Sequence, residues 1–157
     1  MNNLLRVDLT HGQIAREPLP ERYARLAGRA LSSRLIADEV PATCDPLGPH
    51  NKLVFTCGYF AGTSLTSAMR TSVGGKSPLT GTIKESNAGG TVSMRLAQHG
   101  YRALIIEGEA SPGTLLLLHI SQEGARLLPA DEYRGLGNLA LAERLRARFG
   151  ERVAFAT

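Results

Sequence analysis

Long apolar runs, cysteines and aromatic side chains are all scarce in this chain. No stretch approaches the roughly twenty apolar residues of a membrane-spanning helix, and the first residues lack the charged-then-apolar order of a signal peptide. No membrane span and a cytoplasmic location are therefore expected. Cys44 and Cys57 are the only cysteines, too few for a disulfide scaffold and too few to hold a zinc ion or an iron–sulfur cluster by themselves. They read as free, buried thiols behaving as small hydrophobes. Aromatics make up 5% of the residues and basic residues nowhere form a run, although the net charge is +4. That pattern argues against nucleic acid as a partner and weakly for an anionic ligand. What is present, 157 residues at 43% hydrophobic content, suffices for a sizeable core.

The most informative segment runs from Arg70 through Gly74, Gly75, Lys76, Ser77 and Pro78 to Gly81, followed by Asn87-Ala88-Gly89-Gly90. It collects bare backbone, hydroxyls and two cations, which is what a loop needs to approach a many-acceptor anion. Arg70 can fork two hydrogen bonds onto a phosphate. The same residues are also good β-turn chemistry, and on composition both readings stand.

Along the chain, Leu4 to Leu9 alternates, turns at Thr10-His11-Gly12 and resumes through Ile14, which predicts a β-hairpin. A helical stretch starts at Glu21, with Gly28 able to break it in two and Pro41 stopping it. Lys52 to Gly58 reads as a short buried strand, Val92 to Gly100 as a short helix, and Arg102 to Gly108 as another buried strand. The order then begins again. Thr114 to Leu128 predicts a second hairpin, Asn138 to Phe149 an amphipathic helix, and Glu151 to Ala156 a counterpart of Asn51 to Thr56. The expected class is α+β, with sheets built of hairpins and buried strands, flanking helices and a pseudo-two-fold duplication. In that reading residues 1–157 are one domain, with a first unit over residues 1–110 and an incomplete second unit over 111–157.

Several of these segments resemble, in order and in spacing, the N-terminal domain of the tungsten-dependent aldehyde:ferredoxin oxidoreductases. They are the opening Leu-Arg-Val-Asp-Leu-Thr-x-Gly, the stretch Asp45 to Leu53, Gly62-Thr63, Arg70, Lys76 to Gly81, Asn87 to Gly90 and Gly100 to Gly108. The likeness covers nearly the whole chain. It implies a base of two sheet halves carrying tungsten, less often molybdenum, held by two molybdopterin-type pterins, with magnesium bridging their phosphates. Arg70 matches the family's pterin-contacting arginine, and Asn87, Ala88 and Gly89 match its Asn-x-Gly contact. The carbonyl of Asn87 is the position that would face magnesium, an ion that takes oxygen ligands and phosphates without a dedicated cage. The implied activity is the interconversion of aldehydes and carboxylic acids with ferredoxin as electron acceptor, in partnership with the remaining domains of the same protein and as a homodimer.

The chain departs from the family at Ser64-Leu65-Thr66-Ser67, where a Pro often follows the Gly-Thr. The Cys-x-x-Cys-x-x-x-Cys stretch for a [4Fe–4S] cluster, the second Gly-rich loop and the substrate-pocket domains are absent from these residues. The chain alone is therefore expected to be inactive, with no catalytic residue of its own. The alternative is a stand-alone binding or assembly module, or a small subunit without catalytic activity.

Other polar residues read as structural. His11 sits in a predicted turn with no carboxylate in sequence placed to orient it, and His119 lies in an apolar strand. Ser77 lacks a Gly-x-Ser-x-Gly elbow. Lys76 could neutralise phosphate or stay on the solvated face, and Glu85 could be a surface charge or a partner of Arg70.

Overall fold

The structure is a computed structural model that describes residues 2–157. It divides into two compact units, one ending at Ala110 and one spanning Ser111–Thr157.

The first unit opens with a hairpin of β1 (Asn3–Asp8) and β2 (Gln13–Pro18). The helical stretch expected from Glu21 resolves into a 3-10 turn, Glu21–Tyr23, and helix α1 (Gly28–Glu39). Pro41 disfavours helical geometry in the residue before it, and Val40 is extended at φ −105°. Strands β3 (Lys52–Cys57), β4 (Thr71–Lys76) and β5 (Ile83–Ala88) follow, then helix α2 (Val92–Gln98) and strand β6 (Tyr101–Glu107). One six-stranded sheet holds them in the order β2-β1-β6-β3-β4-β5, with β1 and β6 parallel and the other neighbours antiparallel.

Period-two alternation explains the core. Leu4, Val54, Ala103 and Ile105 point to one face, where Leu31, Leu35 and Ile36 of α1 and Tyr23 cover them. Leu35 is 1% exposed, and its truncation leaves a cavity that this sheet face is poorly able to close. Leu35→Ala should therefore lower the unit's stability by about 3 kcal/mol, read as a shift of the urea midpoint; a shift of a few tenths would contradict the packing described.

The stretch from Thr71 to Gly81 is a strand and a turn rather than an open loop. Gly74 and Gly75 lie inside β4, and the reason is close approach. A Cβ on Gly74 would stand 2.9 Å from Ile36 Cδ1 of α1, and one on Gly75 would stand 3.0 Å from the Lys52 carbonyl oxygen. These two glycines let the helix and the neighbouring strand come close to the sheet. The Ser77 to Thr82 connection is an α-turn: the Ser77 hydroxyl accepts from the Leu79 and Thr80 amides at 3.2 Å each, and the Gly81 amide donates to the Ser77 carbonyl at 2.9 Å.

Lys76 follows neither expectation. Its Nζ donates to the Ala42 and Cys44 carbonyls at 2.6 Å each, so it clamps the 41–50 loop. Asn51 completes that clamp, donating to the Pro46 and Lys76 carbonyls at 2.7 and 3.0 Å while its Oδ1 accepts from the Lys52 and Lys76 amides at 2.8 and 2.9 Å.

The second unit contains a hairpin of β7 (Leu116–Ser121) and β8 (Gly124–Pro129), a 3-10 turn at Asp131–Tyr133 and helix α3 (Asn138–Phe149). Hairpin, 3-10 turn and a helix of 12 residues thus occur in the same order in both units. Residues 151–156, expected as a strand, form none. A strand needs a hydrogen-bonding neighbour, and Phe155 instead packs on the small core of Ala130, Tyr133 and Leu145.

Candidate functional site

Three strand ends meet on one side of the six-stranded sheet. Cys57 at the end of β3 lies opposite Thr71 at the start of β4, and Thr71 lies opposite Ala88 at the end of β5. Arg70 and Asn87 sit beside that row, Arg70 just before β4 and Asn87 opposite Ser72. Pairing register thus brings the chain on either side of residues seventeen positions apart close together, with Arg70 itself on the loop before β4.

The contact between them is loose. Arg70 Nε is 3.5 Å from Asn87 Oδ1 and Nη2 is 3.5 Å from the Asn87 carbonyl oxygen, both at the long limit for hydrogen bonds. Arg70 and Asn87 are exposed, as are Ala88 and Gly89. The guanidinium thus retains donor capacity for a stronger acceptor, such as a doubly bonded phosphate oxygen. Glu85 takes the Asn87 side-chain amide as its partner, rather than Arg70.

The glycines of this rim differ from those inside β4. A Cβ added at Gly89 or Gly90 meets nothing within 4 Å. Gly90 also has φ +101°, which a side chain disfavours. Packing of the chain itself thus gives no reason for glycine at Gly89, whereas bare backbone there suits the close approach of an external group. Arg70, the Asn87 carbonyl and the amides around Gly89 are a donor and acceptor set that fits a phosphate-bearing cofactor with a hard cation. Among the described residues, no three His, Cys, Asp or Glu side chains gather to hold a metal ion directly.

The other candidates are structural. Cys57 is buried, its Sγ donating to the Ser93 carbonyl at 3.3 Å, and burial pushes its thiol up to about 12, so it stays protonated. Cys44 is also a free thiol, partly buried in the clamped loop. His11 does have a carboxylate partner, contrary to the expectation from sequence: Asp8 Oδ2 is 2.6 Å from its Nδ1, and that hydrogen bond lowers the Asp8 pKa. The turn folds back on β1, which sequence spacing did not reveal, and the pair is solvent-facing. In the second unit, His119 stacks on Phe149 at 4.7 Å, with its Nδ1 buried and lacking a hydrogen-bond partner. Burial, then Arg126 and Arg148, lower its pKa and keep it a neutral packing group.

Two groups near this rim went unnoticed in the sequence reading. Arg102, at the start of β6, is buried, and its guanidinium lies 4.6 Å from the centre of the Tyr59 ring. An arginine directly before the apolar run Ala103 to Ile106 of β6 was the available signal.

The first unit is an α+β fold that presents a cation and bare backbone at one end of a mixed sheet, and the chain's relatives give its family. The chain belongs to the family described as aldehyde ferredoxin oxidoreductase, N-terminal domain, whose model matches residues 4–157. It is 41% identical over 108 residues to the tungsten-containing aldehyde ferredoxin oxidoreductase of Pyrococcus furiosus, covering 68% of this chain and 18% of that protein. It is 39% identical over 118 residues to the protein of the same name from Pyrococcus abyssi, covering 74% of this chain and 19% of that one. Among solved structures, the active site complex BamBC of benzoyl coenzyme A reductase, in complex with 1,5-dienoyl-CoA, matches with a TM-score of 0.89. The match has 30% identity over 96% of this chain and 23% of that one. The chain thus spans about a fifth of the length of these relatives. Among the described residues no helix is long and apolar enough to cross a membrane.

Proposed function

We propose that this chain is the cofactor-anchoring base of a tungsten or molybdenum bis-pterin oxidoreductase that interconverts aldehydes and carboxylic acids and passes electrons to ferredoxin. The observation that carries this reading is the Arg70 to Gly89 rim: a loosely held guanidinium beside backbone that the fold itself leaves uncovered. Arg70 would fork onto pterin phosphate, the amides around Ala88 and Gly89 would donate to the same oxygens, and the Asn87 carbonyl would face the bridging magnesium. When bound, the cofactor would supply the oxygen-transfer and redox chemistry. The chain's own part is to orient and neutralise it. The matching order of elements in the two units supports a duplication, in which a second such rim would complete the site.

The [4Fe–4S] relay and the substrate pocket belong, in this reading, to the remaining domains of the longer protein, and the isolated chain is inactive. Relatives carry different names, including an aliphatic sulfonate oxidoreductase WOR-like subunit of Pyrococcus furiosus at 29% identity, which supports a reading in which substrate choice lies outside this base. A homodimer and a cytoplasmic location complete the proposal.

A second reading, a binding or assembly module without activity, draws on the sheet face away from α1, where Leu53 is 44% exposed and Phe55 and Val73 are only half-buried. Elemental analysis separates the two. Tungsten or molybdenum at near-stoichiometric level, with magnesium, is expected in the longer protein purified anaerobically; none of these metals, after growth with added tungstate and molybdate, would overturn the cofactor reading in favour of the module.

A further inference from the structure

The connection from β3 to β4 delivers Arg70, and between Phe60 and Leu65 a local turn holds it, the Thr63 amide and hydroxyl donating to the Phe60 carbonyl at 3.2 and 2.7 Å. Residues 62–67 are exposed, and Ser67 has φ +62°, the one non-glycine residue with positive φ among those described. A strained backbone of this kind persists only where its surroundings fix it. The fixing is concentrated at the start of the loop. Ala61 is buried, and Gly62 packs so tightly that a Cβ there would stand 2.9 Å from Ala97 Cβ of α2. The Tyr59 hydroxyl donates to the Ala24 carbonyl at 2.5 Å, and the Tyr59 ring lies against Arg102. Arg102 Nη1 donates in turn to the Leu26 carbonyl at 3.1 Å. One buried side chain thus joins β6, the 24–27 turn and the loop that carries Arg70.

A guanidinium held at 7% exposure loses hydration that an apolar residue at the head of β6 would not have to surrender. What it supplies in exchange is a flat face for stacking and an edge for donation at the same time, a combination that lysine lacks. The same turn accepts a bond from the Thr56 hydroxyl at the Gly28 carbonyl, 3.0 Å away, so Tyr59, Arg102 and Thr56 all seize residues 24–28 from the sheet end where Arg70 and Asn87 lie.

We infer that Arg102 is a positioning residue for the rim: stacked on Tyr59, it holds the 58–70 loop so that Arg70 stays within reach of Asn87 and of an incoming phosphate. The inference rests on the cofactor reading above. It differs from a plain stability role because Tyr59 is 45% exposed and stands two residues past Cys57, whose partner Thr71 directly follows Arg70.

The test uses the longer protein that carries this domain, grown on limiting tungstate. It measures tungsten per folded chain, the rate of protease cleavage within residues 58–70 of the cofactor-free form, and the urea midpoint. Tyr59→Leu removes the stack at an exposed position and is expected to lower tungsten content about 3- to 10-fold. Loop cleavage should speed up by a similar factor while the midpoint stays put. Tyr59→Phe keeps the ring and should load close to wild type. Arg102→Lys keeps the charge but not the planar face, and should behave like Tyr59→Leu; Arg102→Met should lose more. Wild-type loading and cleavage in both Tyr59→Leu and Arg102→Lys would overturn the inference, as would losses that follow the midpoint alone, which mark a structural role. Absence of both tungsten and molybdenum from the wild-type protein would instead overturn the cofactor reading, and the positioning role with it.

Discussion

Replacing Arg6 by methionine is expected to destabilise the six-stranded unit by about 2–3 kcal/mol, because three carboxylates share its charge. Arg6 Nη1 lies 3.0 Å from Glu39 Oε2 and 3.0 Å from Glu107 Oε2, and its Nε lies 3.2 Å from Glu17 Oε1. Lys52 Nζ bridges the same pair, 2.8 Å from Glu39 and 2.5 Å from Glu107. Four of these side chains are only 15–22% exposed, so removing one cation leaves Lys52 alone against both acids at a site that water only partly screens. Breaking a fully buried pair costs about 3–5 kcal/mol, and the residual exposure places this one at the low end. The network also sets a pH dependence. Burial works to raise the Glu39 pKa, but hydrogen bonds from Arg6 and Lys52 outweigh it and hold the value below 4.5. A lowered carboxylate pKa stabilises the fold at neutral pH, and that contribution disappears as pH falls through the folded-state value. Urea midpoints measured from pH 7 downward should therefore decline in acid for the wild type and decline less for Arg6→Met. Equal midpoints at pH 7 would show that the network contributes nothing net.

Arg70→Ala should lower tungsten content in the longer protein by about tenfold or more, while leaving the urea midpoint of the cofactor-free form within error. A charge-assisted bond to phosphate is worth roughly 1.5–3 kcal/mol, and about 1.4 kcal/mol is tenfold in affinity. The fold should not notice the change, since Arg70 is exposed and its contacts to Asn87 are long, at 3.5 Å. Arg70→Lys keeps a point charge without the fork, and an intermediate loss is expected. Unchanged metal content in Arg70→Ala would remove this residue from the proposed site.

The hairpin of β1 and β2, the short strands β3 and β6 and the helices α2 and α3 were all legible as periodicity with turn residues at the ends. So was the end of α1 at Pro41, because a proline acts on its own neighbours. Gly74 and Gly75 were not legible. Their need for a missing Cβ is set by Ile36 and by the Lys52 carbonyl, groups distant in sequence, so composition left strand and loop undecided. Lys76 looked available for phosphate until the 41–50 loop folded onto it. The strand expected at 151–156 met every local criterion but lacks a neighbour to pair with.

Sequence by itself determined the two hairpins, β3, β6, α2 and α3 and, through motif order, which family the chain joins, because these depend on side chains within a few positions of one another. Tertiary structure alone decided that Arg70 meets Asn87, that Gly89 faces open space while Gly74 faces a helix, and that Arg102 stacks on Tyr59. Each of those depends on strand register and close approach across the sheet, where the energy of a contact is fixed by distance in space and not by separation along the chain.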